Sequence, residues 1–423
     1  MTHFLKDILR QPEELQRTIE LLVSASGGGR GALGAVSAGR SQLDAAAAAI
    51  RGARQVYLTG IGSSWHAALN VGAMFHQHAH PVYLIDADEL LRFAAFPKDS
   101  AMIIISRSGK STEIVQLASK ARNSGVHVIG VTNAPDSLLA QSADTAIVVP
   151  IQFDHAISVN TYTTLVLAAG LLAHSVVAEK EKADSSASGC GGPQPEGRND
   201  KSGIPQRESA LVASLRRALE EAGRAIPGWQ AQIAQSEWLK PHSTTYFLAR
   251  GSSLGSAYES RLMWEEGVKT PATAMGTGSF RHGPQEIVND GVCFGIWIDA
   301  EQMREQDLAL ARDLRRLRAR VMLIGQKIPG DAGDLVFQLP AIPSEWQSPI
   351  DIMPMQLVAE KLSRLSGVDC DTFRLCSFVV EDEGGLLPKE AANDPSDRRG
   401  AIYRVPTNPA EMGAKKKAKR KGK

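Results

Sequence analysis

The sequence is poor in cysteine, and its few cysteines are scattered. Only four occur among 423 residues, with no CxxC pair and no cysteine–histidine cluster at the spacing of a zinc site. We therefore expect no metal, and scattered thiols in so long a chain favour the reducing cytoplasm.

An excess of either charge is also lacking. The chain has 47 Lys and Arg against 46 Asp and Glu. Seven of its last nine residues are Lys or Arg, so the rest of the chain is net acidic. This balance argues against a nucleic-acid-binding body. The basic end is a solvated charge run, or at most a weak contact to a polyanion.

Long apolar stretches are missing as well. The sequence has no uninterrupted run of about 18 apolar residues, so we expect no membrane span. The N-terminus lacks the basic and apolar parts of a signal peptide. The chain is nevertheless 43% hydrophobic, which excludes a wholly disordered protein. We therefore expect a soluble cytoplasmic protein without a membrane partner.

Short apolar strands alternate with helices in two parts of the chain, which is typical of parallel sheets covered on both faces. The strands are predicted at 56–59, 81–85, 102–106, 126–131 and 145–149, and at 245–249, 293–298, 321–324 and 335–339. The helices are predicted at 11–24, 40–54, 64–76, 111–123 and 162–179, and at 253–267, 302–318 and 354–365.

The composition divides the chain into five segments. A stretch rich in Gly, Ser and Pro predicts a flexible linker between two domains. The segments are 1–30 (N-terminal helical segment), 31–181 (first domain), 182–206 (linker), 207–387 (second domain) and 388–423 (polar, basic, disordered tail).

One short motif occurs in both domains. Gly62-Ser63-Ser64 and Gly251-Ser252-Ser253 each follow a predicted strand and open a helix. This repetition favours two copies of one α/β domain. Glycine, serine hydroxyls and the free N–H groups of a helix start suit a phosphate or a sugar hydroxyl, although simple helix capping explains such serines equally well.

A second serine-rich loop follows the apolar strand at 102–106. It comprises Ser106, Arg107, Ser108, Gly109, Lys110 and Ser111, and opens the next helix. The segment lacks the first glycine of a nucleotide-binding P-loop, because Ile105 stands there. We interpret it as a phosphate cradle at the carboxyl edge of the sheet; an ordinary capped helix is the alternative.

A third loop could supply acid–base groups. His282 lies between Arg281 and Gly283, 16 residues after Glu266. A carboxylate and an imidazole in one neighbourhood can exchange protons with a substrate. A helical wheel does not distinguish Glu265 from Glu266 as the carboxylate.

Together these motifs resemble the SIS (sugar isomerase) domain superfamily, and more narrowly the isomerase half of glutamine–fructose-6-phosphate aminotransferases and the fructosamine-6-phosphate deglycases. The resemblance implies two flavodoxin-like SIS domains, each a parallel five-stranded sheet flanked by helices. It implies Glu266 as the catalytic proton carrier and His282 as the ring-opening group, supplied by the partner subunit of a homodimer. The substrate-binding residues that it implies are Ser64, Ser106, Arg107, Ser108, Ser111 and Ser158. The first glycine–serine motif adds Gly62 and Ser63 as predicted binding residues.

The chain departs from the aminotransferases in two ways. It begins without their glutaminase domain, so we expect no ammonia release from glutamine. Cys376 or a close neighbour stands where those enzymes use a lysine, so no Schiff base is expected there. The deglycases share the run Phe280–Val288, which favours a deglycase or deaminase.

We therefore predict an enzyme that isomerises an amino-sugar or fructosamine 6-phosphate and cleaves its C–N bond, without a cofactor. The alternatives are an ammonia-dependent synthase, an aldose–ketose isomerase, and a non-catalytic sugar-phosphate sensor.

Overall fold

The structure is a computed structural model, and it describes residues 1–23, 33–187, 203–375 and 379–380. The middle of the predicted linker, Cys376 and the predicted tail lie outside the described residues.

The first half contains a parallel sheet of five strands in the order β2-β1-β3-β4-β5. Strands β3 and β1 are central and almost fully buried, because helices cover both faces. The strands are β1 (Gln55–Thr59), β2 (Tyr83–Leu84), β3 (Ser100–Ser106), β4 (His127–Thr132) and β5 (Thr145–Val148). The helices are α1 (His3–Val23), α2 (Leu33–Gly52), α3 (Ser63–Gln77), α4 (Ala87–Phe93), α5 (Thr112–Asn123), α6 (Leu138–Ser142) and α7 (Asn160–Ala187).

The second half repeats this architecture with the strand order β7-β6-β8-β9-β10. The prediction of two parallel five-stranded sheets is thus confirmed. The strands are β6 (Thr244–Ala249), β7 (Ala272–Gly276), β8 (Val292–Trp297), β9 (Arg320–Gly325) and β10 (Leu335–Gln338). The helices are α8 (Gly203–Gln235), α9 (Leu254–Met263), α10 (Thr277–Phe280), α11 (Arg304–Arg316), α12 (Ser348–Asp351) and α13 (Met353–Leu365), with a π-helical turn at Trp264–Val268.

The two halves share one hydrophobic core. Leu15 of α1 and Leu172 of α7 belong to the same cluster of buried side chains as Trp264 and Phe337 of the second half. Part of α7, Asn160–Ala178, is long and apolar enough to cross a membrane, but 83% of its most apolar window is buried within the protein. A helix buried in this way has the environment of a core helix.

The predicted linker is partly helical. Helix α7 continues to Ala187 and helix α8 begins at Gly203, so both ends of the 182–206 segment belong to helices.

The N-terminal helix begins earlier than predicted. Helix α1 starts at His3 and not at residue 11, and it contains Pro12.

Candidate functional site

A cavity of about 220 Å³ opens at the carboxyl ends of β1 and β3. Parallel neighbouring strands bring the loops that follow them to one edge, which is where open α/β sheets hold ligands. All eight binding residues predicted from the sequence line this cavity, together with Glu266. The further lining residues are Ile61, Glu113, Ala156, Leu262, Phe373, Val379 and Val380.

The loop after β3 forms a compact group of hydrogen-bond donors. The Ser106 hydroxyl accepts the Gly109 N–H at 3.1 Å, and the Ser108 hydroxyl accepts the Lys110 N–H at 3.2 Å. Each hydroxyl therefore keeps its own proton for donation. Gly109 makes the turn feasible, because its φ is +58° and an added Cβ would lie 2.3 Å from the Ser137 hydroxyl oxygen.

The same loop leads into the start of α5. Ser111 occupies the N-cap position, and its side chain makes no capping hydrogen bond. Helix starts offer unpaired N–H groups and the positive end of the helix dipole. The donors of the loop and the N–H groups of the helix start together favour phosphate binding over the alternative of an ordinary capped helix.

Arg107 connects two walls of the cavity. Its backbone N–H donates to the Ser64 hydroxyl at 3.3 Å, and its guanidinium Nη1 donates to the Ser158 hydroxyl at 2.9 Å. Ser64 opens α3 and Ser158 precedes α7. A fixed guanidinium beside a cluster of serine hydroxyls strengthens binding of an anion, because hydrogen bonds between charged partners are the strong ones.

Glu266 enters the cavity from the second half. It belongs to the π-helical turn Trp264–Val268, a local geometry often found at functional sites. Burial and then the nearby Glu259 carboxylate raise its pKa to about 7, against the lowering effects of Arg107 and Lys269. A carboxyl group that titrates near neutral pH can both remove and return a proton.

The structure distinguishes the two adjacent carboxylates that the helical wheel left open. Glu265 turns away to pair with the Arg261 guanidinium at 3.0 Å, and its side chain is 37% exposed. Glu266 lines the cavity and Glu265 does not.

The titration of Glu266 predicts a pH-dependent stability. Because its folded pKa of about 7 exceeds the ordinary value of 4.5, its stabilising effect is complete below pH 4.5 and disappears as the pH rises through 7. This loss amounts to at most about 3.4 kcal/mol, at about 1.36 kcal/mol per pKa unit. We expect Glu266→Gln to flatten the curve of melting temperature against pH, as measured by thermal denaturation between about pH 5 and pH 8. Parallel curves for the two proteins would contradict the shifted pKa.

His282 is not part of this cavity. It lies on the turn between α10 and the 3₁₀ turn at Pro284–Ile287, where its side chain is exposed. Within one chain the structure therefore does not bring His282 and Glu266 to the same cavity. The resemblance assigned this histidine to a partner subunit, and that assignment stays a prediction.

Residues near the C-terminal end complete the cavity, and sequence reasoning did not find them. Phe373, Val379 and Val380 line it, and the Val380 carbonyl accepts the Thr112 N–H at 3.2 Å. The carboxylate of Glu113 also lines the cavity, with its Oε2 buried and without a hydrogen-bond partner among the residues that the structure describes. Phe373, Val379 and Val380 carry no spacing or composition signal, because their approach to the site depends on the tertiary fold. Glu113, in contrast, closely follows the serine-rich loop in the sequence.

In the second copy of the glycine–serine motif, the serine hydroxyls are hydrogen-bonded to other residues of the protein. The Ser253 hydroxyl donates to Asp351 Oδ2 at 2.6 Å, the Ser256 hydroxyl donates to Asp351 Oδ1 at 2.7 Å, and the Ser252 hydroxyl donates to the Ser344 carbonyl at 2.8 Å. Asp351 is fully buried in this position. The duplicate loop is therefore structural, and the two halves are not equivalent as binding sites.

Among the residues that the structure describes, no group of three or more His, Cys, Asp or Glu side chains could hold a metal ion. The polar side chains that line the cavity supply hydroxyl, guanidinium and carboxyl groups.

Comparison with known proteins identifies the class of this fold. Residues 49–175, which include all five strands of the first sheet, match the family model of the SIS domain. This agrees with the resemblance seen in the sequence motifs.

Aminotransferases are among the curated relatives. The chain is 27% identical over 376 residues to the glutamine–fructose-6-phosphate aminotransferase (isomerizing) of Symbiobacterium thermophilum, covering 87% of this chain and 57% of that protein. It is 25% identical over 392 residues to the enzyme of the same name from Pyrobaculum aerophilum, covering 90% of this chain and 58% of that protein. The chain thus spans little more than half the length of these relatives.

Solved structures share the fold across both halves. The C-terminal domain of a glucosamine–fructose-6-phosphate aminotransferase from Francisella tularensis superposes with a TM-score of 0.71 at 18% identity, covering 87% of this chain and 97% of that domain. A glucosamine-6-phosphate deaminase from Thermotoga maritima superposes with a TM-score of 0.67 at 20% identity, covering 90% of this chain and 99% of that protein.

Proposed function

We propose that this protein is a sugar-phosphate isomerase that also cleaves a C–N bond, acting on an amino-sugar or fructosamine 6-phosphate. The observation that carries the proposal is the shared cavity, in which the serine- and arginine-rich anion cradle faces a carboxyl group with a pKa of about 7. The names of the relatives support the substrate class, since an aminotransferase and a deaminase acting on hexose 6-phosphates are among them.

The proposed binding mode follows from the donors. The phosphate lies against Ser106, Ser108 and Ser111 at the start of α5, and the sugar chain extends past Arg107 toward Glu266. Holding the phosphate fixes the reacting carbons beside the carboxylate, which lowers the entropic cost of proton transfer.

The proposed chemistry uses Glu266 as a proton carrier. In an open-chain fructosamine 6-phosphate, the Glu266 carboxylate removes a proton from C1, the C2 carbonyl oxygen takes up a proton from water, and an enolamine forms. Protonated Glu266 returns the proton to C2, and the nitrogen releases its N–H proton to water, leaving an imine at C1. Water then adds to the imine, and the amine and an aldose 6-phosphate leave as products. The carbonyl and imine of the substrate accept the electrons, so the sequence of steps requires no redox cofactor.

The closed sugar ring needs a further acid–base group, and we propose His282 of a second copy of the chain for this role. The exposure of His282 is compatible with insertion into a neighbouring cavity. The site would then be complete only in a homodimer.

Mixed dimers test this sharing. Glu266→Gln and His282→Ala chains should each be slow alone, and mixing them after dissociation should restore up to about a quarter of wild-type activity, because one kind of mixed site contains both groups. The measurement is steady-state activity against mixing ratio. Absence of recovery in dimers shown to be mixed would mean that both groups act within one chain.

The substrate class is tested with a panel of 6-phosphorylated amino sugars and fructosamines, monitoring released amine and the sugar phosphate formed. Release of an amine supports the proposal. Aldose–ketose interconversion without an amine indicates a simple isomerase, and amine incorporation only in the presence of ammonia indicates a synthase. Tight binding without turnover of any compound would overturn the enzymatic function in favour of a sensor.

A further inference from the structure

A buried carboxylate connects the cradle of the first half to the helix that carries Glu266. Glu259 of α9 is 2% exposed, and both its oxygens contact the first turn of α3. Its Oε1 accepts the Ser63 hydroxyl at 2.9 Å, and its Oε2 lies 2.7 Å from His66 Nδ1. Ser63 lies between Gly62 and Ser64 in the wall of the cavity.

Glu259 and Glu266 are on one continuous helical segment. They are separated by seven residues, or about 10 Å of helical rise. The intervening segment comprises the end of α9 and the π-helical turn. A displacement of Glu259 relative to α3 would therefore be transmitted along this segment to Glu266.

Helices α3 and α9 are in close contact near Glu259, with no room for a side chain at Gly255. A Cβ added to Gly255 would lie 2.1 Å from the His66 carbonyl oxygen and 2.3 Å from Asn70 Oδ1. Asn70 is itself fixed, since its Nδ2 donates to the Tyr162 hydroxyl at 2.8 Å. The backbone of α9 at Gly255 therefore packs directly against α3, about one helical turn from Glu259.

We propose that Glu259 is a positioning residue, which sets the distance between the sugar-phosphate loop of the first half and the proton-carrying carboxylate of the second. This inference rests on the proposed function, because it assigns Glu259 a part in the reaction of Glu266. Helix packing alone would keep the two halves together, whereas the paired contacts to Ser63 and His66 fix the loop that holds the ligand.

Glu259 also acts through its charge. After burial, it is the largest contributor to the raised pKa of Glu266. Geometry and charge are separable, because Ser63 contributes to the first and not to the second. The titratable groups that interact with Glu259 are His66 and Tyr162, and those that interact with Glu266 are Arg107, Lys269 and Glu265. Asp86 and Tyr258 lie against His66.

Three variants separate these contributions in steady-state kinetics against pH. Ser63→Ala should lower kcat/KM by about 3- to 10-fold, as expected for one hydrogen bond, with the acid limb of the pH profile unmoved. Glu259→Gln retains the size of the side chain and removes the charge, so the acid limb should move to lower pH. Glu259→Ala should do both, lowering kcat/KM by at least about 100-fold.

Asp307→Asn is the matched structural control. Asp307 is another fully buried carboxylate of the second half, and it pairs with Arg250 at 2.9 Å. Its substitution should lower the melting temperature without moving the pH profile. If the Glu259 variants lose stability but keep the wild-type kinetic profile, as Asp307→Asn should, Glu259 is only structural and the proposal is overturned.

Glu266→Gln distinguishes this failure from a failure of the proposed function. Full activity in Glu266→Gln would remove the reaction that Glu259 is proposed to serve. An inactive Glu266→Gln together with wild-type profiles for all Glu259 variants would overturn the positioning role alone. Binding of fructose 6-phosphate, followed by its effect on melting temperature, provides a readout for variants with no measurable turnover.

Discussion

Glu266→Gln should reduce kcat by about 10²- to 10⁴-fold, the usual contribution of a positioned proton carrier. The amide has nearly the size and hydrogen-bonding reach of the carboxyl group, but it cannot take up a proton from carbon. KM should change little, since the phosphate cradle belongs to the other half of the chain. Steady-state kinetics on the substrate found in the panel would measure both constants.

The neighbouring residue provides the matched control. Glu265→Gln removes a carboxylate one residue away, whose partner is Arg261 outside the cavity. Its effect on kcat should stay within about threefold, because surface ion pairs contribute little. Incorporation of deuterium from solvent into the sugar phosphate gives a second test, since it requires proton exchange at carbon. Wild-type exchange in Glu266→Gln would exclude it as the proton carrier.

The fold was predictable because its signals are local. Apolar strands such as β3 and β8 are buried over their whole length, and each is followed by a polar turn and a helix. Strand β7 was missed, because Ala272–Gly276 contains few residues that favour strands and is only partly buried. Its position depends on pairing with β6, which is a tertiary contact.

The candidate site was predictable where loops carry their own chemistry. Ser106 and Ser108 follow a strand directly, so the carboxyl edge of the sheet brings them to the same cavity as Ser64. The choice between Glu265 and Glu266 was not predictable from a helical wheel, because the wheel assumes 3.6 residues per turn. The π-helical turn at Trp264–Val268 breaks this periodicity where the choice is made.

Other features of the site depend on long-range contacts that leave no trace in local sequence. Glu259 bonds to Ser63 and His66 across 196 and 193 residues, respectively. Val380, at the C-terminal end of the described residues, accepts a hydrogen bond from Thr112 of the first half. The duplicate motif shows the converse, since the same residue types form internal hydrogen bonds there: Ser253 donates to Asp351 and Ser252 donates to the Ser344 carbonyl.

Loss of two cradle hydroxyls should raise KM strongly. Hydrogen bonds from hydroxyls to a charged phosphate contribute about 1.5–3 kcal/mol each. Ser108→Ala combined with Ser111→Ala should therefore raise KM for a phosphorylated substrate by at least about 100-fold. The value of kcat should fall much less, because neither residue contacts Glu266 in a hydrogen bond or ion pair that the structure describes. Competitive inhibition by inorganic phosphate should weaken in parallel.

The internal repeat supplies the control for this double variant. Ser252 belongs to the duplicate motif, where its hydroxyl donates to the Ser344 carbonyl instead of facing an open cavity. Ser252→Ala should leave KM and phosphate inhibition unchanged, while a modest fall in melting temperature reports the lost hydrogen bond. If the double variant kept the wild-type KM and inhibition constant, the phosphate would bind elsewhere. The loop would then no longer determine which carbons of the substrate lie beside Glu266.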